Sequence, residues 1–151
     1  MATAANDFDT VANTKLFVSV AAPTTFDAAG YGALTWVEVG VITKFGNVTG
    51  REYNKATLET VSDAQIRSKK GNYSLPDVEM ECGWAETDAG QIIIAAASED
   101  YSIPSFKVVK QGGALRFFTA QVAKFVENLG TSNDAVKGSF TLLRQRNTVK
   151  A

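Results

Sequence analysis

The fold of this chain is decided by residues 78–84, Val-Glu-Met-Glu-Cys-Gly-Trp, in which apolar and acidic side chains alternate. Successive side chains of a β-strand point to opposite faces. The apolar side chains at positions 78, 80, 82 and 84 would therefore be buried on one face, with Glu79 and Glu81 on the other. The pattern predicts a strand that covers a core with only one of its faces.

Segments with strand character lie on both sides of this stretch. Gln111-Gly112-Gly113 is a short glycine-bearing connection that would close an antiparallel hairpin. Asp88, three residues before Gln91, predicts the N-cap of one short helix that ends near Asp100. Residues 120–130 fit helical and strand periodicity equally well. Residues Leu34 to Thr43 are predicted to form either one strand that bends at Gly40 or two strands. Further strands are predicted from Lys15 to Val20, from Ser105 to Lys110, from Ala114 to Ala123 and from Val136 to Arg144.

The chain from 44 to 73 differs from these segments because it is polar, with only scattered apolar residues. So long a polar excursion inside a compact domain usually has a function or is mobile. We interpret it as a long loop. Residues 1–13 form an N-terminal arm in this interpretation, and residues 145–151 form a polar C-terminal tail.

Composition narrows the possible functions. With 151 residues, 45% hydrophobic and 21% charged, the chain fits one folded domain. It contains no histidine, which removes the commonest general base and zinc ligand, and Cys82, its single cysteine, can form no intrachain disulfide. Carboxylate or lysine chemistry stays possible in principle. We expect no enzyme activity, no catalytic, cofactor-binding or metal-binding residue, and, without an apolar stretch of about 18 residues, no membrane partner.

The charges are arranged in blocks of alternating sign. Residues 71–106 hold seven acids and no base, whereas residues 107–151 hold eight bases and two acids. A near-neutral chain with segregated charge suits association with a copy of itself. The alternative is that folding mixes the blocks into an ordinary surface.

Three local patterns admit both a functional and a structural interpretation. Glu79 and Glu81 could act as an acid and base pair, but a solvated sheet face explains them as well. Residues 67–70, Arg-Ser-Lys-Lys, could contact phosphates, or form a charged loop face. Trp36 and Trp84 could stack on sugars, although their apolar surroundings favour core positions. No phosphate-binding glycine motif is present.

The order of several segments resembles a known family. The segments are Thr35 to Gly46 (TWVEVGVITKFG), Gly50 to Asn54 (GREYN), Thr87 to Gln91 (TDAGQ) and Phe117 to Val122 (FFTAQV). Together they are similar to the major tail tube protein of bacteriophages with long, non-contractile tails. The similarity extends over roughly residues 14 to 145.

This resemblance implies a tail-tube-type β-sandwich that is mostly β, with one short flanking helix and a long polar loop. It also implies a strand near residues 121–126, and stacked hexameric rings that form a hollow conduit for DNA delivery. In that family the long loop contacts neighbouring subunits. The candidate contact residues here are Arg51, Glu52, Tyr53, Arg67, Lys69 and Lys70.

The resemblance further implies a virion tail location after assembly in the host cytoplasm. The implied partners are other copies of the chain, a tape-measure protein, tail-tip or terminator proteins, and passing DNA that is not specifically bound. Glu79 and Glu81 are candidate lumen-facing acids, since carboxylates repel phosphates. The alternatives are an inner tube protein of a contractile tail or secretion system, and a monomeric β-sandwich module that binds carbohydrate or a receptor.

Overall fold

The computed structural model describes residues 10–151, and in that range the chain is mostly β-strand. The mostly-β fold class with a flanking helix is confirmed. The strands are β1 (Lys15–Ser19), β2 (Val37–Val39), β3 (Ile42–Lys44), β4 (Glu52–Thr60), β5 (Asp63–Ser74), β6 (Val78–Gly83), β7 (Ser105–Val109), β8 (Leu115–Asn128), β9 (Lys137–Arg144) and β10 (Val149–Lys150). The helices are α1 (Ala28–Gly32) and α2 (Ala89–Ser98).

Eight strands form one antiparallel sheet with the order β2-β1-β7-β8-β9-β6-β3, and β10 pairs with β8. The first and last strands of this path, β2 and β3, are joined only by Gly40 and Val41. Three Cα steps span at most about 11 Å, whereas six strand spacings would separate these edges by about 29 Å in a flat sheet. The sheet must therefore fold over on itself into two layers.

The long strand β8 belongs to both layers. Its first part, up to Thr119, pairs with β7, and its second part, from Ala120, pairs with β9. The register shifts between Val122 and Lys124, which places a β-bulge at Ala123. Bulges increase the local bend of a strand. The strand predicted at 121–126 is confirmed, and the helical alternative for 120–130 is wrong.

The two layers share one hydrophobic core, which α2 completes by packing on β1, β2 and β8. Alternation along β6 buries Val78, Met80 and Cys82 and leaves Glu79 and Glu81 exposed, as the sequence predicts. Each fully buried large apolar side chain stabilises the fold by about 1.5–3 kcal/mol. The core also contains Leu16, Val18, Phe106, Phe118, Phe140, Leu142 and Ile94.

A buried polar network fixes the corner between β2 and β3 against α2. The carboxylate of Asp88, the N-cap of α2, accepts hydrogen bonds from the backbone N–H groups of Gln91 (3.0 Å) and Gly40 (3.1 Å). The Gln91 side-chain amide donates to the carbonyl groups of Gly40 and Gly83 and accepts from the N–H of Ala85. Because its side-chain donors and acceptor are all used, this buried glutamine is well tolerated. The predicted cap and helix are confirmed.

Three details differ from the sequence prediction. Val20 is exposed because β1 ends at Ser19. The short helix α1, capped by Asp27, was not predicted, because five residues carry too little periodicity to reveal a helix. The C-terminal tail is not wholly irregular, since residues 149–150 form β10.

The interpretation of residues 44–73 as a long loop is wrong. Most of this segment is a β-hairpin made of β4 and β5, and residue 44 ends β3. The prediction failed because both faces of the hairpin are exposed, so neither face shows the period-two burial pattern of a strand, and because two register shifts interrupt the pairing. The N-terminal arm, 1–13, lies mostly outside the described residues.

Candidate assembly surfaces

The hairpin β4–β5 is the most exposed part of the described chain. Its two strands pair with each other and with no other strand among residues 10–151, and every described side chain in both strands is exposed. Leu58 is 65% exposed, Ile66 is 57% exposed and Val61, at the turn, is fully exposed. An isolated two-stranded hairpin is marginally stable in water. Exposed apolar residues on such an element mark a surface that another protein can cover.

Aromatic and cationic residues meet on one face near the root of the hairpin. Tyr53 lies opposite Tyr73, with ring centroids 5.4 Å apart. The Arg51 guanidinium lies 4.6 Å from the Tyr73 ring centroid, and the Lys70 ammonium lies 4.6 Å from that of Tyr53. These cation–π contacts hold the long side chains in place on an otherwise solvated face. Three of the six predicted contact residues are therefore brought together here.

The other three predicted residues do not join this cluster. Glu52 pairs with Ser74, Arg67 with Leu58 and Lys69 with Ala56. Antiparallel partners share a face, and these pairs alternate with the Tyr53–Tyr73 pair. All three therefore lie on the opposite face of the hairpin, which is exposed as well.

A buried arginine holds the root of the hairpin. The Arg144 guanidinium donates to the carbonyl oxygens of Val48 (3.1 Å), Gly50 (2.6 Å) and Pro76 (3.4 Å), and to the Thr148 hydroxyl (3.0 Å). Val48 and Gly50 precede the hairpin, Pro76 follows it, and Thr148 lies in the C-terminal tail. Burial lowers the pKa of Arg144, yet these acceptors compensate for its lost hydration.

Sequence reasoning missed Arg144, although a signal exists. The inward-facing series of β9 runs through Gly138, Phe140 and Leu142 in steps of two, and Arg144 is its next member. A cation at a position predicted to point inward must find acceptors inside the protein. The pattern thus indicates a buried arginine, but it does not name the distant carbonyl groups that accept from it.

Glu79 and Glu81 lie together on the exposed face of β6, next to two lysines. Glu81 pairs with Lys44 on β3, and Glu79 pairs with Thr141, which is also the partner of Lys124 on β8. The four charged side chains line one shallow depression of about 170 Å³. The face therefore carries two charges of each sign, and it is less acidic than the sequence of β6 alone indicates.

Within residues 10–151, one edge of β8 has no strand partner beyond Ala120, whose backbone N–H donates to the Pro104 carbonyl. From Ala120 onward the strand pairs with β9 on one side, while β7 pairs only with the part that ends at Thr119. The exposed backbone N–H and C=O groups of such an edge can pair with a strand of another chain.

Both tryptophans are half-buried, so neither is an exposed sugar platform. The Trp36 indole donates to the carbonyl of Tyr31 (3.1 Å) and packs near Phe117. Trp84 packs against Phe125 with ring centroids 4.9 Å apart. These contacts agree with the structural interpretation of the two residues.

Comparison with solved structures finds the same architecture in tube assemblies. The chain aligns with the SPP1 tail tube at a TM-score of 0.65 and 17% identity, covering 91% of this chain and 75% of that one. It also aligns with a chain of the PVC extracellular contractile injection system, in its sheath–tube complex, at a TM-score of 0.64 and 8% identity, covering 100% and 99% of the two chains. A chain of the anti-feeding prophage baseplate aligns at a TM-score of 0.63 and 8% identity, over 100% and 97%.

The chain has the fold of a tail tube protein. The resemblance read from the sequence is confirmed at the level of the fold. No family model matches the sequence, and no curated protein is significantly similar to it. The similarity to these solved structures lies in the three-dimensional fold, at sequence identities of 8–17%.

Residues 10–151 contain no helix that is long and apolar enough to cross a membrane. In the same range, no three cysteine, aspartate or glutamate side chains are placed together so that they could hold a metal ion.

Proposed function

We propose that this protein is a virion subunit that polymerises with copies of itself into the tube of a bacteriophage tail. The observation that carries the proposal is the hairpin β4–β5, which has apolar side chains at its tip and no described partner strand. The tail-tube fold supports it, because its structural neighbours come from tube assemblies. Covering the hairpin with a neighbouring subunit would supply the burial that it lacks.

In the finer form of the proposal, subunits form hexameric rings that stack into a long, non-contractile tube for DNA delivery. The open edge of β8 would join the sheet of one subunit to that of the next around the ring. Hairpins would then contact neighbouring subunits or rings. A tape-measure protein inside the tube and tail-tip or terminator proteins at its ends are the further partners of this proposal, and assembly would take place in the host cytoplasm.

The face that carries Glu79 and Glu81 is our candidate for the lumen. Its two lysines, Lys44 and Lys124, balance the two acids. A face of mixed charge has little net attraction for phosphates, which suits a passage that must not retain DNA. The E79K/E81K variant tests this assignment: its tubes should bind DNA in a salt-dependent manner, whereas wild-type tubes should not. Equal DNA binding by both tubes would remove this face from the lumen.

The experiment that tests the function is assembly of the purified protein. Negative-stain electron microscopy at high concentration should show hollow rings or tubes, and light scattering at low concentration should give the mass of the free subunit. Replacing three apolar hairpin side chains in L58S/V61S/I66S should abolish tubes and leave the circular dichroism spectrum unchanged.

A matched control separates loss of contact from loss of solubility. The V20S/I92S variant removes similarly exposed apolar side chains from the body of the domain and should assemble normally. A chain that stays monomeric at every concentration, even with preformed tail tips as initiators, would contradict the proposal. It would favour the monomeric binding module instead. Electron micrographs of tubes inside a contracting sheath would favour the contractile alternative.

A further inference from the structure

Residues 45–51, the segment before β1 and the facing ends of β7, β8 and β10 enclose a cationic groove of about 520 Å³. Four basic side chains line it: Arg51, Lys110, Arg116 and Lys150. None of the described residues that line it is acidic. Like charges concentrated around one concave surface repel each other, and an anionic partner relieves that repulsion. Within residues 10–151, the groove therefore lacks the counter-charge that its composition calls for.

An acidic knob, residues 99–102, lies at the end of α2 and carries two adjacent carboxylates. Glu99 and Asp100 are exposed, and the Tyr101 side chain that follows is 93% exposed. The Asp100 carboxylate accepts from the backbone N–H of Ser102 at 2.9 Å and from its hydroxyl. The side-chain amide of Gln121 donates to the Tyr101 carbonyl at 3.2 Å. These three hydrogen bonds restrain the backbone of the knob, which lowers the conformational entropy that docking would cost.

Three other acids of the block 71–106 already have partners on their own subunit. Glu79 and Glu81 share their face with two lysines, and Asp88 caps α2. In contrast, Asp100 interacts only within the knob, where the hydroxyl and backbone N–H of Ser102 lower the pKa of its carboxyl group.

The groove and the knob lie at opposite ends of the same strands. The knob leads into Ser105, the first residue of β7, whereas Lys110 in the groove follows its last residue, Val109. On the neighbouring strand β1, Ser19 pairs with Ser105 and Lys15 pairs with Val109. Five residues of strand separate the two surfaces by on the order of 15 Å. One molecule therefore cannot join its own knob to its own groove, but two copies can join head to tail.

We infer that the acidic knob of one subunit docks into the cationic groove of a second copy. Glu99 and Asp100 would meet Lys110, Arg116 and Lys150, and the aromatic ring of Tyr101 would add apolar contact area. The contact would repeat from subunit to subunit along the direction of strands β1 and β7. It rests on the proposed function, and it supplies that function with a stacking interface next to the root of the hairpin.

A pair of engineered cysteines tests the contact directly. The Y101C/K110C variant, oxidised under assembly conditions, should form a ladder of covalent oligomers on a non-reducing gel. Cys82 is fully buried, so it should not interfere. The matched Y101C/E86C variant places the second thiol on an exposed acid outside the groove and should give no ladder.

Charge reversal tests the same contact without cross-linking. E99K/D100K should weaken assembly at least tenfold, and adding K110E/K150E to the same chain should restore it. The control D77K/E86K reverses two exposed acids outside the knob and should assemble like the wild type. Rescue by the second pair distinguishes a contact from damage to the fold, because a misfolded subunit would not recover.

The outcomes separate this inference from the proposed function. Wild-type tubes without a ladder, and with normal assembly of E99K/D100K, would overturn the contact and leave the tube function standing. The alternative occupants of the groove are Asp7 and Asp9, two acids that precede the described residues, and a D7N/D9N variant tests them. Altered assembly of D7N/D9N without a ladder would assign the groove to them and overturn the inference. Absence of any wild-type assembly would overturn the function first.

Discussion

Replacing Arg144 with methionine should destabilise the domain and loosen the root of the hairpin. The change keeps an apolar stem of similar length but removes donors to three carbonyl groups and one hydroxyl. Hydrogen bonds to a charged group contribute about 1.5–3 kcal/mol each. The sum must be reduced, because removing the buried guanidinium also relieves its desolvation and because water can reach some freed carbonyls.

We therefore expect a loss of about 3 kcal/mol of unfolding free energy in R144M. For a domain of this size that corresponds to a fall in Tm of roughly 6–12 °C, measurable by circular dichroism. R144K should fall between R144M and the wild type, because an ammonium cannot reach four acceptors in a fixed fork. Hydrogen exchange should accelerate in the segments on either side of the hairpin, with little change in β6.

The matched control is R146M, two residues further along the chain. Arg146 is exposed, and its guanidinium lies 3.9 Å from the ring centroid of Phe26, a contact with a contribution of about 0.5–1 kcal/mol. If R144M and R146M unfold within about 2 °C of each other, Arg144 does not hold the hairpin root and the reasoning is refuted.

Three further changes test the body of the fold. G90A should lower the free energy of unfolding, measured with urea, by about 2–3 kcal/mol, because the new Cβ would lie 2.5 Å from the Glu38 carbonyl oxygen. In the control G32A the new Cβ meets no atom within 4 Å, so its free energy of unfolding should stay within about 0.5 kcal/mol of the wild type. Equal losses in the two variants would contradict this packing. V41N should raise Tm by about 2–4 °C, because Val41 has a φ of 61°, which costs a β-branched residue about 1 kcal/mol; a lower Tm would show that no strain is stored there. Burial raises the pKa of the Cys82 thiol, so a thiol reagent at pH 8 should label it only as fast as the protein unfolds, and rapid labelling of native protein would show an open core.

The body of the fold could be predicted where its strands bury alternate side chains. Alternation at Met80 and Phe140 carries that information, and the capping carboxylate of Asp88 marks where α2 begins. The hairpin could not be predicted in the same way. Its stability comes from cross-strand pairs such as Tyr53–Tyr73, and a pattern of burial is absent where nothing is buried.

The candidate surfaces were only partly predictable for a related reason. Charge blocks indicate that opposite signs exist, but only the folded backbone decides which charges become neighbours. Lys44 and Lys124 lie 80 positions apart in the sequence and nevertheless flank the same two glutamates. The four cations of the groove likewise come from different parts of the chain, since Arg51 precedes β4, Lys110 and Arg116 flank the β7–β8 turn, and Lys150 lies in β10.

The continuity of β8 through both layers has a mechanical consequence. If a neighbouring subunit pairs with the open edge of its second half, a force applied at that edge is transmitted along the β8 backbone into the first half. The first half includes Arg116, which lines the cationic groove. The bulge at Ala123 interrupts the hydrogen-bond ladder between β8 and β9 within the second half, so it is the point where the strand can bend. A tube built from such subunits could bend by small rotations at this bulge while the joints between subunits stay closed.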